Sequence, residues 1–327
     1  MKYRDLGNTG MRVSEISLGT WQLGGKWGAD YSEQTAQTTL ETAYDHGINF
    51  FDTADVYNDG KSERSIGQFI KGKAEKVYVA SKCGRQITPH VSAGYTCQAV
   101  VRYTEESLNR LGVDALDLIQ LHCPPTDVFY RPEIFETLQK LKREGKIKHF
   151  GVSIERVEEG LKAMEYEGMS SIQVIYNMFR QRPDEALFPL AKEKGVGIIC
   201  RVPLASGLLT GKFTQKSEFG KSDHRFFNRK GEAFDKGETF SGVDYDLGLQ
   251  AVAELKAIFG ENGLTLYALR WILMRDEVSC VITGASGPEQ IRQNTAASDL
   301  PSLTDDQMAQ VKAVYDQLIR NPVHYLW

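Results

Sequence analysis

The sequence predicts a (β/α)8 barrel, a TIM barrel, over residues 1–327 as one domain, with an N-terminal β-hairpin, a long loop after strand 7 and an extra C-terminal helix. Three observations lead there. Eight short apolar runs alternate with helical stretches along 327 residues, the pattern of a parallel sheet with right-handed crossovers. Polar, chemistry-bearing residues stand where several of those runs end. A doubly wound sheet, the competing architecture, needs a glycine-rich first turn to hold a dinucleotide, and the chain contains no Gly-x-Gly-x-x-Gly.

The elements follow in order. Tyr3 to Val13 carries Gly7-Asn8-Thr9-Gly10 between short apolar stretches and reads as a hairpin. Ile16–Gly19 is the first barrel strand, ending in Thr20-Trp21. Ser32 caps a helix to about His46. Ile48–Asp52 is the second strand, and Ser62 is expected to cap the helix after it. Val77–Ser81, Leu116–Leu121, Ile147–Val152, Ile172–Ile175, Val196–Cys200 and Val278–Ile282 complete the set. Helices are expected over Ala99–Leu111, Pro132–Gly145 and Pro183–Lys194, the last closed by Gly195. From Ala205 to about Asp246 the rhythm breaks into a long polar stretch, the kind of insertion that forms lids or binding loops. Leu247–Phe259 and Leu264–Met274 read as helices, and Thr304 with Gln307 makes a capping box that opens the extra helix to about Ile319.

Composition excludes several classes. With 39 basic and 43 acidic residues and a net charge of −4, the chain has no basic face for nucleic acid. No apolar run reaches membrane-span length, and Met1-Lys2-Tyr3-Arg4-Asp5 lacks a signal core, so a cytoplasmic protein is expected. Cys83, Cys97, Cys123, Cys200 and Cys280 are odd in number, far apart and free of Cys-x-x-Cys pairing, and the six histidines show no ligand spacing; neither disulfides nor a metal site is expected.

The informative residues are those at the strand ends. Asp52 ends strand two, Tyr57 lies in the following loop, Lys82 follows strand three and His122 follows strand four. In a parallel barrel these ends share one rim. A carboxylate, a phenol, an ammonium and an imidazole together suit reduction of a carbonyl, whose oxygen gains charge and needs a proton. Free tyrosine titrates at about 10; Lys82 is expected to lower that value, with Asp52 keeping Lys82 charged and His122 orienting the carbonyl oxygen.

At these residues the chain resembles the aldo-keto reductase family. Gly47 through Asp52 with Ser62-Glu63 and Gly67 is similar to its first signature, and Lys146-Ile147-Lys148-His149-Phe150-Gly151-Val152-Ser153 to its second. The resemblance, which runs toward the bacterial sugar and general aldehyde reductase branch, implies a catalytic tetrad of Asp52, Tyr57, Lys82 and His122. It implies NADP(H) lying across the barrel mouth, with a small-molecule carbonyl as the partner, no nucleic acid and no membrane; a homo-oligomer stays open. By the same resemblance Ser153 and Gln173 hold the nicotinamide carboxamide, and Thr20 and Trp21 are further cofactor contacts. Leu204-Ala205-Ser206-Gly207-Leu208-Leu209-Thr210-Gly211-Lys212 covers the pyrophosphate, with Ser206, Gly207, Leu209, Gly211 and Lys212 as contacts and Arg225 as a second cation. Gly284, Ser286, Gln290 and Asn294 lie at the adenosine 2′-phosphate end. Ser286 with Glu289 also reads as a helix-capping box.

Three departures stand out. Ile154 follows Ser153 where an asparagine is usual, leaving Asn177 as the substitute. Gly284, Ala285 and Gln290 replace cationic residues near the 2′-phosphate, which weakens selection for NADP(H) and admits NAD(H). Arg201 stands where an aromatic residue usually stacks on the nicotinamide; it is expected to favour the reduced cofactor or to meet a polar substrate. Trp21, Trp27, Phe129, Tyr130 and Trp327 are the aromatic candidates for substrate contact. Two other uses of the barrel are a Schiff-base lyase built on Lys82 and a low-turnover, cofactor-sensing binding subunit.

Overall fold

The computed structural model describes residues 1–25 and 30–327. Trp27 therefore lies outside the described residues.

The chain begins with the expected hairpin. Strand β1 (Tyr3–Asp5) pairs antiparallel with β2 (Arg12–Ser14), Tyr3 opposite Ser14. Gly7, with φ +50°, makes the turn possible where backbone meets backbone: a Cβ there would fall 2.4 Å from both the Gly195 oxygen and the Gly197 nitrogen. Arg4 fixes the hairpin by donating to the carbonyls of Leu273, Arg275 and Val278 at 2.6–3.0 Å.

Eight parallel strands then close a barrel: β3 (Ile16–Gly19), β4 (Phe50–Asp52), β5 (Tyr78–Cys83), β6 (Leu116–His122), β7 (Ile147–Ser153), β8 (Met169–Ile175), β9 (Gly197–Arg201) and β10 (Val278–Gly284), with β10 returning to pair with β3. Their helices are α1 (Glu33–Asp45), α2 (Lys61–Ile70), α3 (Cys97–Leu111), α4 (Pro132–Arg143), α5 (Val157–Ala163), α6 (Leu187–Lys194), α7 (His224–Phe227), α8 (Tyr245–Phe259), α9 (Leu264–Ile272) and α10 (Pro288–Thr295), followed by α11 (Asp305–Val314) and α12 (Arg320–Val323). No helix among the described residues is long and apolar enough to cross a membrane.

Two cores result. One lies between the strands and the helices. The other fills the barrel floor, where Phe50, Ala80, Leu118, Ile199, Cys280 and Ile282 point inward and Leu6, Met11 and Val13 of the hairpin close them off from below. Cys83, Cys123, Cys200 and Cys280 are buried and Cys97 is exposed.

Local chemistry places the helix ends, with corrections. Ser32 caps α1 by accepting from the Thr35 amide, and the Thr304–Gln307 capping box opens α11. Ser62 does not cap α2. Asn58, Asp59 and Gly60 all take positive φ, so the helix starts at Lys61, and the Ser62 hydroxyl turns inward to Thr20 and Thr53. Ser286 does not cap α10 either. Gly287 holds the N-cap position ahead of Pro288, while Gln290 Oε1 accepts from both the Ser286 amide and its hydroxyl. The Pro183–Lys194 stretch is a short 3-10 turn, Arg182–Asp184, followed by α6. The polar stretch after β9 holds short helical turns at Ala205–Thr210, α7, Lys236–Glu238 and Phe240–Gly242.

Candidate active site

Strand periodicity builds the site. Side chains two apart share a face, so the inward apolar floor of Phe50, Ala80, Leu118 and Ile199 forces Asp52, Lys82, Gln120 and Arg201 into the next inward layer, with His122 one step above. Register lines up the layers: Asp52 lies beside Gly19 and Ala80, Lys82 beside Gln120, and His122 beside Ser153. The interior thus turns from apolar to charged within two residues, at the carboxyl ends of the strands.

Asp52, Lys82, Tyr57 and His122 meet there. Lys82, 1% exposed, donates to Asp52 Oδ1, to the Thr53 carbonyl at 2.9 Å and to the Tyr57 hydroxyl at 3.4 Å. The second Asp52 oxygen accepts from Gln173 Nε2 at 2.7 Å and from Gln120 Nε2 at 3.4 Å. The Tyr57 ring stands edge-on to His122 with centroids 5.9 Å apart, and Trp21 stacks on it at 6.4 Å.

The charge states follow from burial and neighbours. Burial lowers the Lys82 pKa, but Asp52 and Tyr57 together raise it above the usual value, so the ammonium stays charged. Burial raises the Tyr57 pKa, and Lys82 opposes that only in part. The phenol is thus held in its protonated form, contrary to the lowering expected from Lys82 alone. His122 is held neutral, by burial first and then by the charges of Arg85, Lys82 and Arg201.

Arg201 lies in a network the sequence did not announce. Its Nη2 donates to Glu155 Oε2 and its Nη1 lies against Glu238 Oε2, each at 3.0 Å. Arg85 Nη2 donates to Glu155 Oε1 at 3.1 Å and to Glu238 Oε1 at 3.0 Å. The four side chains form a closed ring across the mouth, joining the exits of β5, β7 and β9 to the long segment. Burial raises the Glu155 pKa, with Glu238 adding to it, whereas Arg201 and Arg85 outweigh burial at Glu238 and lower it. Cys123 Sγ and one oxygen from each glutamate lie within 4.8 Å of one another. Both carboxylates are already engaged by guanidinium groups, and burial pushes the thiol up to about 12, so these atoms belong to an ion-pair ring rather than a metal centre.

The other candidates divide by location. Thr20 is buried and donates to the Asp52 carbonyl at 2.9 Å. Ser153 is buried beside Cys123, with Oγ 3.4 Å from Sγ. Asn177 spends its amide on the Val202 carbonyl, Ser241 Oγ and the Phe179 amide, each at 2.8 Å, so it is not free to replace the missing asparagine. Leu204 stands half-buried just before the Ala205–Thr210 turn, and Leu209 is buried within it. Ser206 and Gly207 take φ of 54° and 100° there, Gly211 ends it at 70°, and Lys212 is exposed. Arg225 is paired through two nitrogens with Asp223. Gly284 and Gln290 are exposed, Ser286 is half-buried and Asn294 is buried. Phe129 is fully buried in the core, whereas Tyr130 is 64% exposed. Trp327 folds back onto the long segment, donating from Nε1 to Asp235 at 2.8 Å and covering Arg180.

Sequence reasoning passed over Arg85, Glu155, Glu238, Gln120 and Asp55. Arg85 and Glu155 each lie within three residues of a strand end, which was the available signal. Glu238 sits inside the long polar stretch with nothing to mark it.

The chain belongs to the Aldo/keto reductase family, whose sequence model matches residues 15–316. It is 30% identical to the NADH-specific methylglyoxal reductase of Escherichia coli, over 98% of this chain and 100% of that one. It is 31% identical to the aldo-keto reductase YhdN of Bacillus subtilis, over 99% and 96%. Among solved structures, the glycerol dehydrogenase AKR11B4 from Gluconobacter oxydans superposes with a TM-score of 0.79 at 26% identity, covering 100% of this chain and 98% of that one.

Proposed function

We propose that this protein is an NADP(H)-dependent reductase of small aldehydes or ketones, sugar-derived ones included, with Tyr57 as the proton donor. The observation that carries the reading is the contact set Asp52–Lys82–Tyr57 beside a neutral His122 in the inward polar layer.

The residues fit a dinucleotide at the rim. Gly284 is open: a Cβ there would meet nothing closer than Gln22 Oε1 at 3.9 Å. The Ser206–Gly207 backbone takes conformations that permit close approach, and Lys212 is an exposed cation. Ser153 would border the nicotinamide. The fit to a 2′-phosphate is thinner, because Arg225 is committed to Asp223 and the Ser286 hydroxyl to Gln290. NAD(H) fits the same residues, in keeping with one relative named as NADH-specific.

When bound, the cofactor supplies the hydride. Tyr57, protonated by burial, gives its proton to the carbonyl oxygen. Lys82 stands 3.4 Å from the resulting phenolate and stabilises it. Asp52 keeps Lys82 charged and in place. His122, neutral, aligns the carbonyl oxygen through a hydrogen bond without adding charge. A Schiff-base lyase needs an uncharged lysine, and the raised pKa of Lys82 disfavours it.

Oxidation of NADPH and of NADH, followed with a panel of short aldehydes, tests this reading. Turnover is expected, with kcat in Tyr57→Phe down by about 10²–10⁴-fold and cofactor binding kept. Full activity in Tyr57→Phe would show that the proton comes from elsewhere.

A further inference from the structure

The ring of Arg85, Glu155, Arg201 and Glu238 is not needed for the proton transfer just described. Two guanidinium groups set this close, each with parallel N–H donors, are the usual receptor for a carboxylate. Here the receptor is already filled. Glu155 comes from a strand exit. Glu238 comes from the long segment and is pinned: its carbonyl accepts from Ser206 Oγ at 3.0 Å, and the turn before it is closed by the Gly237 amide and Trp327 Nε1 on Asp235, at 2.7 and 2.8 Å.

The ring also adjoins the strand end that carries His122. Cys123, the residue after His122, has its sulfur 3.5 Å from Arg201 Nη2, and Arg85 and Arg201 are among the charges that act on His122. The Nε groups of Arg85 and Arg201 are buried without a hydrogen-bond partner among the described residues. The charge of each guanidinium is nevertheless balanced by the two carboxylates.

We propose that Glu238 is the resident anion of a two-arginine site, and that it excludes carbonyl substrates bearing a carboxylate next to the reacting carbon while admitting neutral oxygenated ones of the same size. This rests on the reductase reading above. A third carboxylate brought to a ring that already holds two meets like charge in a water-poor place. A neutral hydroxyl or second carbonyl oxygen meets no such repulsion.

The test compares two near-isosteric aldehydes, methylglyoxal and glyoxylate, in which a methyl group is exchanged for a carboxylate oxygen. Wild-type protein is expected to favour methylglyoxal in kcat/KM, and Glu238→Gln to shift the ratio toward glyoxylate by about tenfold or more. General damage to the fold lowers both values and leaves the ratio in place. A second arm needs no turnover. Acetate is expected to raise the Tm of Glu238→Ala, with chloride at equal concentration and wild-type protein as the silent controls. An unmoved substrate ratio, or a Glu238→Ala protein that ignores acetate, overturns the proposal. If no carbonyl is reduced at all, the reductase reading fails and the acetate arm still decides whether the two arginines form an anion site.

Discussion

The side-chain amide of Gln173 donates to Asp52 across 121 residues of chain, at 2.7 Å. One oxygen of that carboxylate holds Lys82 and the other is held by Gln173. The amide that family resemblance assigns to the cofactor is thereby engaged in orienting the group that charges Lys82. Gln173→Leu is expected to cost about 1–3 kcal/mol of stability, because it strips a buried carboxylate oxygen of its best donor. It should also lower kcat by about tenfold while changing cofactor Kd by less than about threefold. The reverse pattern, weak cofactor binding with kcat intact, would return Gln173 to a cofactor contact.

Asp55 lies two residues before Tyr57, 1% exposed, with no side-chain partner for its carboxylate among the described residues and only the Gly84 and Val56 amides acting on it from the backbone. Burial first, then Glu63, push its pKa up to about 7 against the pull of Arg110. A carboxyl raised on folding contributes stability that is full below its unfolded value of about 3.9 and is lost as pH rises through about 7. Asp55→Asn should therefore be more stable than wild type at pH 8, by on the order of 4 kcal/mol, with the gap closing toward pH 4. Urea titrations at the two pH values measure it. A gap that stays constant with pH would show that Asp55 does not titrate in this window.

Gly67 sits in α2 where that helix crosses α3. A Cβ there would fall 2.2 Å from the Leu111 carbonyl oxygen, which is backbone and has little room to yield. Gly67→Ala should therefore destabilise by about 2 kcal/mol, despite the gain of about 1 kcal/mol that alanine brings to a helix interior. Gly72→Ala, with nothing within 4 Å of the new atom, is the control and should stay within about 0.5 kcal/mol. Equal effects of the two changes in thermal melts would contradict the close approach of the helices.

Trp327 is 6% exposed, and its ring lies 4.0 Å from the Arg180 guanidinium and close against Gly237 and Gly242. Trp327→Ala removes both this packing and the hydrogen bond to Asp235, a loss of about 3–5 kcal/mol for a buried aromatic. Faster limited proteolysis within residues 212–244 is expected, since that segment loses its brace. An unchanged cleavage pattern would mean that Ser206 and the ring hold the segment unaided.

The barrel was legible because several apolar runs end in a residue that an apolar interior does not tolerate; Asp52, Lys82 and His122 announced both the strand ends and the shared rim. Local signals were less decisive where one motif serves two geometries. Ser62 and Ser286 each begin a stretch that reads as a cap, yet a run of positive φ at Asn58–Gly60 and a glycine at position 287 moved the helix starts by one or two residues. The direction of the Tyr57 shift was hidden for another reason. Sequence displays Lys82 as a neighbour but not the burial that outweighs it. Arg201 was noticed as out of place, but its partners lie 46 and 37 positions away, at Glu155 and Glu238, and only the closed barrel brings them together.

The ring has a consequence for how this protein can change. Its four members come from three connections and the end of β9, so no one connection can be exchanged in isolation. Swapping the long segment for another carries away Glu238 and leaves two arginines facing one carboxylate. A combinatorial library that varies one loop at a time would record each position as intolerant, whereas variation of positions 85, 155, 201 and 238 together reaches charge-balanced solutions that no single step connects.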